Sequence, residues 1–249
     1  MDTLKAVILA AGKGTRMKSD LPKVVHTIHD RCLVDYVIDA AKGAGAKEIC
    51  LVVGYQAEVV KRSIAAKDVS FAMQEEQLGT GHAVRCAKDF LGTGGQTLIL
   101  FGDTPLITAQ TLKRLLTYHT QKGNAVTVLS AWVEDPAGYG RIIRNAEGTF
   151  VKSVEHKDAS PEERNSHEIN SGMYIFDTDE LREALDKIQP NNAQGEYYLP
   201  DTLTIIKEKG RKVDAFALES PEDIAGCNDR EQLAEAAQII RRREQECIS

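Results

Sequence analysis

A segment near the start of the chain combines glycines with concentrated positive charge. Gly12 and Gly14 flank Lys13, and the stretch from Lys13 to Lys23 has a net charge of +3. Its cations are Lys13, Arg16, Lys18 and Lys23, and its anion is Asp20. Glycine lets the backbone come close to a ligand, while guanidinium and ammonium groups suit phosphate oxygens. The segment therefore predicts a phosphate-binding turn, and the alternative is a solvated basic turn.

Two common glycine motifs do not fit this turn. The phosphate loop G-x-x-x-x-G-K-[ST] occurs nowhere in the chain. The dinucleotide fingerprint G-x-G-x-x-G fails because Met17 stands at its third glycine position, where close helix–strand packing needs a small residue. A dehydrogenase is therefore not expected.

A carboxylate follows a second informative segment. Asp103 comes directly after Gly102 and the apolar run Thr97–Phe101. Mg²⁺ takes one or two oxygen ligands from the protein and the rest from phosphates and water, so Asp103 is a candidate ligand. Because Thr104 and Pro105 follow, a helix-cap or turn aspartate is the alternative.

Apolar segments rich in β-branched residues alternate with helical patterns over the first half of the chain. The predicted strands are Lys5–Ala10, Glu48–Val53, Val69–Met73 and Thr97–Phe101. The predicted helices are Leu33–Ala44, Gln56–Ala65, Gly79–Phe90 and Ala109–Thr120. Such repeats are typical of a doubly wound sheet, which binds ligands at the carboxyl ends of its strands. The glycine turn and Asp103 both stand at such ends.

The second half of the chain is richer in strands. We expect them at Ala125–Val133, Arg141–Arg144, Thr149–Glu155, Gly172–Phe176 and Val213–Leu218, with short helices near Thr178–Asp186 and Leu199–Lys207. The predicted fold class is α/β, a Rossmann-like doubly wound mixed sheet with an insertion over the ligand crevice. The last segment, Asp229–Glu246, is a charged amphipathic helix. Its Arg241–Arg243 run is predicted to be a solvated face, and the alternative is a binding patch.

Composition excludes several classes of protein. The chain has 249 residues and a net charge of −6, which argues against a general nucleic-acid binder. Its apolar runs are too short for a membrane span or a secretory signal, so we expect a cytoplasmic protein without membrane contact. Five scattered cysteines without a C-x-x-C pair fit neither a disulfide framework nor a zinc site.

The glycine turn resembles a family signature. Gly12–Met17, four further residues and then Pro22-Lys23 match G-x-G-T-R-M-x4-P-K, the signature of sugar nucleotidyltransferases. Further matching strings are Leu78–Ala83, Gly138–Ile142, Val154–Ala159, Glu168–Gly172 and Asn192–Tyr198. Together they resemble the N-terminal uridyltransferase domain of bacterial bifunctional N-acetylglucosamine-1-phosphate uridyltransferase/glucosamine-1-phosphate acetyltransferase, over essentially the whole chain.

The resemblance implies the nucleotide-diphospho-sugar transferase fold with an inserted sugar-binding lobe. It places a nucleotidyltransferase domain at residues 1–228, divided into a nucleotide-binding part at about 1–124 and a sugar-binding part at about 125–228, before a linker helix at 229–249. The family's acetyltransferase half, a left-handed β-helix that forms trimers, has no counterpart in this sequence. Acetyl transfer is therefore not predicted, and a homotrimer is expected only where that half is attached. Both a truncated bifunctional enzyme and a stand-alone transferase fit this pattern.

The resemblance also implies a reaction and its residues. In that reaction Mg²⁺ supports uridylyl transfer from UTP to N-acetylglucosamine-1-phosphate, giving pyrophosphate and UDP-N-acetylglucosamine, a precursor of peptidoglycan and lipopolysaccharide. The implied catalytic residues are Arg16, Lys23 and Asp103, and the implied metal ligands are Asp103 and Asn228. The implied nucleotide-binding residues are Leu9, Ala11, Gly12, Gly14, Gln74, Gly79 and Thr80. The implied sugar-binding residues are Gly140, Glu155, Asn170 and Asn228.

The chemistry of these side chains is compatible with the implied roles. The Gln74 amide can both donate to and accept from uracil, although a polar strand-end residue is the alternative. Asn170 can likewise donate and accept, Glu155 can accept from sugar hydroxyls, and Gly140 leaves room for an N-acetyl group. On sequence alone, Asn228 would pass for a residue at a helix start.

Two other functions compete with this one. The first is a pyrophosphorylase for another hexose-1-phosphate, such as glucose-1-phosphate. The second is a non-catalytic nucleotide-sugar-binding module, which would be expected to have lost Arg16, Lys23 or Asp103, and all three are present.

Overall fold

The strands and helices are described by a computed structural model that covers residues 3–66 and 68–246. The strands are β1 (Leu4–Ala10), β2 (Thr27–Ile28), β3 (Arg31–Cys32), β4 (Glu48–Val53), β5 (Ser70–Met73), β6 (Gln96–Phe101), β7 (Val126–Trp132), β8 (Gly140–Arg144), β9 (Phe150–Val154), β10 (Glu168–Asp177) and β11 (Val213–Leu218). The helices are α1 (Leu33–Ala44), α2 (Ala57–Ser63), α3 (Thr80–Cys86), α4 (Lys88–Leu91), α5 (Ala109–Lys122), α6 (Pro161–Arg164), α7 (Thr178–Leu185), α8 (Asp201–Glu208) and α9 (Arg230–Glu246). Short 3-10 turns cover Thr15–Met17, Lys23–Val25 and Pro221–Ile224.

A mixed sheet joins both halves of the described chain, in the strand order β11-β7-β10-β6-β1-β4-β5. Strands β6, β1, β4 and β5 are parallel, whereas β10 runs antiparallel to its neighbours β6 and β7. In the register of the sheet, Leu9 lies opposite Val52 on β4 and Phe101 on β6. The glycine turn after β1 and Asp103 after β6 therefore leave the same edge of the sheet. The predicted α/β class with a mixed sheet is confirmed.

Helices cover both faces of the sheet because alternate residues of its central strands are apolar on either side. Ala6 and Ile8 of β1 face one core, which helices α1 and α5 close. Val7 and Leu9 face the other core, which α3, α7 and α8 close. Ala6, Val7 and Ile8 are each 0% exposed, as expected for a strand buried between two helical layers. The sheet is therefore doubly wound.

Three of the four helices predicted in the first half of the chain differ in their bounds. The predicted helix Gly79–Phe90 is two helices, α3 and α4, which meet at Ala87. The predicted helix Gln56–Ala65 is the shorter α2, because Gln56 adopts a left-handed conformation (φ +47°) outside the helix. Helix α5 continues past the predicted Thr120 and ends where Gly123 takes up a left-handed conformation (φ +62°).

The second half of the chain adds an irregular strand that the sequence predicted only in part. Predicted at Gly172–Phe176, β10 begins at Glu168 and shifts register between Asn170 and Tyr174. Its first part pairs with the inserted hairpin of β8 and β9 as well as with β7. Gly172 (φ +79°) stands in the irregular segment, where any Cβ would collide with the Phe101 ring. The hairpin β2–β3 was not predicted, because strands of two residues show no periodicity.

The C-terminal helix α9 packs on the main body through Ala236 and Ile240. The prediction that Arg241–Arg243 forms a solvated face is correct for the exposed Arg241 and Arg242, although Arg242 pairs with Glu222. It is wrong for Arg243, which is half-buried and ion-paired. The predicted segment 229–249 is described as far as Glu246. None of the helices in the described ranges has the length and apolar character of a membrane span.

Candidate active site

The cationic segment folds back on itself at a glycine. Gly14 is left-handed (φ +67°), and a Cβ atom there would lie 2.5 Å from the Cβ of Lys23. Met17 is fully buried and Val24 is 3% exposed, so apolar anchors fix the segment on both sides of its polar residues. The exposed Arg16 and the half-buried Lys23 are thereby brought to one site.

The predicted catalytic cations and metal ligands form one hydrogen-bonded cluster. Lys23 Nζ donates to Asp103 Oδ2 and, at 2.7 Å, to Asn228 Oδ1. Arg16 Nη2 donates to the same Asn228 oxygen at 2.7 Å. The backbone N–H of Cys227 donates to Asp103 O at 2.8 Å and ties the two loops together. The cationic turn and the acidic strand end therefore face each other across a single site.

Asp103 and Asn228 offer two oxygens to a divalent cation. The Lys23 ammonium contacts both oxygens, so they converge on a position that one cation can share. Within the described residues, no group of three or more His, Cys, Asp or Glu side chains could hold a metal by itself. Two protein oxygens completed by phosphate and water are the usual donor set of Mg²⁺. The residues present therefore fit a magnesium ion that binds together with phosphates.

A thiol lies beside this cluster. Cys227 is buried, and burial, followed by the nearby Asp103 carboxylate, raises the pKa of its thiol to about 12. The thiol is therefore protonated at neutral pH and is not a nucleophile there.

A cavity of about 460 Å³ extends from the cluster along the carboxyl edge of the sheet, within the range of small-molecule sites. It is lined by the seven predicted nucleotide-binding residues together with Arg16, Lys23, Asp103 and Asn228. Its walls also contain residues that the sequence analysis did not single out, namely Ala10, Thr15, Val24, Gln77, Ala83, Phe101 and Glu196. Gln77 Nε2 donates to Ala11 O at 2.7 Å. The position of Gln77 between Gln74 and Gly79 is the signal that could have identified it.

The Gln74 side chain has fewer hydrogen-bonding groups available to a ligand than a glutamine can offer. It is 4% exposed, and its Nε2 lies 3.2 Å from Gly79 O and 3.2 Å from His82 Nδ1. Both amide hydrogens thus have protein partners, whereas Oε1 has none among the described residues. The expectation that this amide both donates and accepts is corrected, because in this arrangement it can only accept.

A second cavity, of about 230 Å³, is lined by Gly140, Glu155 and Asn170. A Cβ atom at Gly140 would lie 3.3 Å from Glu155 Oε1 and 3.5 Å from the Cβ of Asn170, so the three residues are in contact. Thr80 and Phe101 line both cavities. The two cavities therefore adjoin each other.

The two asparagines predicted to bind the sugar are placed differently. Asn170 Nδ2 donates to Ser153 Oγ at 2.9 Å and to the Tyr174 hydroxyl at 2.7 Å, while its Oδ1 accepts from the Gly172 N–H at 2.8 Å. Its remaining capacity is that of an acceptor, not of the donor and acceptor expected from its type. Asn228 lies in the first cavity, in the cation cluster, rather than with the other three predicted sugar-binding residues.

The second cavity is lined by one carboxylate, Glu155, which has other carboxylates near it. Burial raises the pKa of Glu155, and the neighbouring carboxylates of Asp158, Asp201 and Glu196 add to the effect. Burial, followed by repulsion from Asp158, raises the pKa of Asp201 to about 6. An uncharged hydroxyl group can donate to a carboxylate such as Glu155, whereas the negative charge of a phosphate would be repelled by it.

Comparison with known proteins identifies relatives of the chain. A family model described as Nucleotidyl transferase matches residues 5–228. The bifunctional protein GlmU of Thermoanaerobacter pseudethanolicus is 51% identical over 243 residues, which cover 98% of this chain and 53% of that protein. The bifunctional protein GlmU of Clostridioides difficile is 50% identical over 239 residues, which cover 96% of this chain and 52% of that protein. The chain thus spans about half the length of the curated relatives it matches.

A solved structure shares the fold. The crystal structure of UDP-glucose pyrophosphorylase complexed with UDP-glucose superposes with a TM-score of 0.78, covering 98% of this chain and 100% of that chain at 22% identity. At 22% identity the similarity is evidence for the fold alone. Because the family model matches most of its length, the chain belongs to the nucleotidyl transferase family.

Proposed function

We propose that the chain transfers the uridylyl group of UTP to N-acetylglucosamine-1-phosphate, forming UDP-N-acetylglucosamine and pyrophosphate. The observation that carries this proposal is a pair of adjoining cavities, one containing the cluster of Arg16, Lys23, Asp103 and Asn228 and the other lined by Gly140, Glu155 and Asn170. The relatives named GlmU, about 50% identical over nearly the whole chain, support the same reaction.

The reaction needs positioning and charge neutralisation more than acid–base chemistry. A phosphate oxygen of the sugar phosphate attacks the α-phosphorus of UTP, and pyrophosphate leaves on the opposite side. The attacking oxygen is already an anion, so no general base is required. Arg16 would neutralise the charge that grows on pyrophosphate, and Lys23 the charge at the α-phosphate. Asp103 and Asn228 would hold Mg²⁺, which supplies further positive charge to the phosphates when bound.

The remaining residues would position the two substrates. The first cavity would hold the uridine and the triphosphate through Leu9, Ala11, Gly12, Gly14, Gln74, Gly79 and Thr80. In the second cavity Glu155 and Asn170 would accept from sugar hydroxyls, and Gly140 would leave space beside them. The nucleotide would then belong mainly to residues 1–124 and the sugar mainly to residues 125–228. Each cavity also takes residues from the other part, Glu196 in the first and Thr80 in the second. The enzyme would work in the cytoplasm, where its product enters cell-wall precursor synthesis.

One assay tests the proposal. Pyrophosphate release is measured with UTP and N-acetylglucosamine-1-phosphate, with Mg²⁺ and with a chelator, and again with glucose-1-phosphate. We expect release to need Mg²⁺ and both substrates, with kcat/KM about 10-fold or more higher for the N-acetylated sugar. No release with either sugar would refute nucleotidyl transfer. Preference for glucose-1-phosphate would identify another hexose-1-phosphate pyrophosphorylase instead.

A further inference from the structure

A histidine that the proposed reaction does not use lies next to Gln74, one of the residues that line the first cavity. His82 is the third residue of α3 and is half-buried. Its Nδ1 lies 3.2 Å from Gln74 Nε2, and its Nε2 lies 3.9 Å from Cys86 Sγ. Because an amide nitrogen donates and does not accept, Nδ1 must be the acceptor of this bond. The neutral ring therefore carries its proton on Nε2, on the side of Cys86.

The Gly79 carbonyl sets the orientation of the Gln74 amide. A carbonyl oxygen only accepts, so the side-chain nitrogen and not the oxygen must face it, at 3.2 Å. His82 takes the second amide hydrogen. Together the two partners leave Gln74 without a donor to offer a ligand.

Gln74 and Gly79 together offer a base one acceptor and one donor. Gln74 Oε1 is the acceptor, on a side chain that is 4% exposed and lines the cavity. The backbone N–H of Gly79 is the donor, since Gly79 lines the same cavity and its N–H has no partner among the described residues. A side chain at Gly79 is excluded, because its Cβ would lie 2.6 Å from Tyr197 O.

We infer that His82 is a positioning residue that holds Gln74 as a pure acceptor and thereby selects uracil over cytosine. The inference rests on the proposed function, because it requires a pyrimidine nucleotide in the first cavity. Uracil presents a hydrogen on N3 and a carbonyl at C4, which complement Gln74 Oε1 and the Gly79 N–H. Cytosine in the same pose presents a lone pair at N3 and an amine at C4, which oppose both groups. Polar sites reject such a ligand because buried groups are left unpaired.

Removal of the His82 acceptor would release one amide hydrogen of Gln74. The amide could then turn to donate to N3 of cytosine, and its preference for uracil would fall. His82→Leu and His82→Phe both remove the acceptor but differ in shape, so an effect common to both reports the lost hydrogen bond. His82→Asn is the matched control, because its side-chain oxygen can take the place of Nδ1.

Calorimetric titration with UTP and with CTP tests the inference without turnover. The wild-type chain is expected to bind UTP more tightly than CTP. His82→Leu and His82→Phe are expected to lower the ratio of the CTP to the UTP dissociation constant by about 10-fold, mainly through tighter CTP binding, because the released amide can donate to N3 of cytosine. His82→Asn is expected to stay within about threefold of the wild-type ratio.

The opposite results separate this inference from the proposed function. A wild-type chain that binds no UTP would overturn both. A wild-type chain that prefers UTP, with variants that keep its ratio or lose both nucleotides equally, would overturn the role of His82 alone. A double-mutant cycle with Gln74→Ala adds a second measurement. If His82 acts through Gln74, His82→Leu has no further effect on the ratio in the Gln74→Ala background, and additive effects contradict that route.

Discussion

At the scale of single residues, Lys23 stands where the proposed metal and phosphate sites meet. Its side chain is 13% exposed and that of its partner Asp103 is 21% exposed, so water screens their attraction less than at the surface. A cation bound to Asp103 would compete with the ammonium for the same oxygens. In the proposed reaction, this competition would turn Lys23 toward the phosphates when the metal and the nucleotide bind together.

Asp103→Ala should therefore lower Mg²⁺-dependent turnover by about 100-fold or more, since it removes an oxygen ligand from the proposed metal site. Pyrophosphate release across a Mg²⁺ series measures the effect. Asp186→Ala is the matched control, because it breaks an exposed ion pair with Lys88 and should leave turnover unchanged. Near-normal turnover in Asp103→Ala would refute the assignment of the ligand.

Arg16→Ala should lower kcat more than it weakens sugar-phosphate binding. In the proposed reaction the charge that Arg16 would neutralise grows as pyrophosphate leaves, so its contribution would be larger in the transition state than in the ground state. Steady-state kinetics with N-acetylglucosamine-1-phosphate as the varied substrate separates the two constants. An unchanged kcat with only a raised KM would contradict this role.

At the scale of turns and helices, the left-handed backbone conformation of Gly14 allows the close approach of Lys23, a residue of the site. Gly14→Ala would place a left-handed alanine 2.5 Å from the Cβ of Lys23. We expect a loss of about 1–2 kcal/mol in the free energy of unfolding from the backbone conformation. We also expect kcat/KM to fall about 10-fold or more, because Lys23 is displaced.

Gly148→Ala is the control for that variant. Gly148 is also left-handed (φ +77°), but a Cβ atom there would meet nothing within 4 Å. It should lose stability to a similar extent in urea denaturation and keep full activity. Equal activity in the two alanine variants would show that Gly14 does not position Lys23.

The raised pKa of Asp201, the first residue of α8, predicts that the stability of the protein depends on pH. Burial raises the pKa of Asp201 from 3.8 to about 6, so the folded state binds more protons than the unfolded state between these values. Stability therefore falls as pH rises through this window. Asp201→Asn should raise the Tm by about 2 °C or more at pH 7.5, after allowance for partial exposure, and should lose this advantage near pH 4.

Thermal unfolding across pH measures this effect. Asp186→Asn serves as the control of opposite sign, because the hydrogen bond from Lys88 lowers the pKa of Asp186. That variant should be less stable than the wild type at neutral pH, and the difference should disappear in acid, where the wild type loses the interaction. A Tm difference for Asp201→Asn that does not change with pH would contradict the raised pKa.

At the scale of the whole molecule, the features with a local pattern could be predicted from the sequence. Strands such as β1 and β4 are apolar enough to be recognised alone, and the glycine turn carries a long motif. The parallel order of β1 and β6 then brings that turn and Asp103 to one edge of the sheet. Prediction was successful there because each signal lies within one short segment and the sheet topology supplies the rest.

Features that depend on distant partners could not be predicted in this way. The irregular segment of β10 is shaped around Phe101, far away in sequence, at Gly172. The sequence around Asn170 does not indicate that its two amide hydrogens are donated to Ser153 and Tyr174. Such partners reverse the hydrogen-bonding capacity that a residue type suggests, so the chemistry of the two cavities required coordinates.

Helix α9 links the end of the described chain to the loop that carries Asn228. The Asn228 N–H donates to Gln232 Oε1 on α9 at 2.7 Å. Further along the helix, Arg243 donates to Glu222 Oε1 at 2.6 Å, to Asp223 Oδ1 at 2.7 Å and to Leu106 O at 2.7 Å. These bonds fasten α9 to the segments on either side of the cation cluster.

Arg243→Ala should therefore destabilise the molecule as a whole. Three charge-assisted hydrogen bonds are lost and two carboxylates lose a partner, so we expect the free energy of unfolding to fall by about 1–3 kcal/mol. Arg241→Ala, two positions earlier on the exposed face of α9, should stay within about 0.5 kcal/mol of the wild type. Urea denaturation followed by circular dichroism compares the two variants. Equal urea midpoints for the two variants would mean that the ion pairs of Arg243 do not stabilise the packing of α9, and that its apolar contacts alone hold it in place.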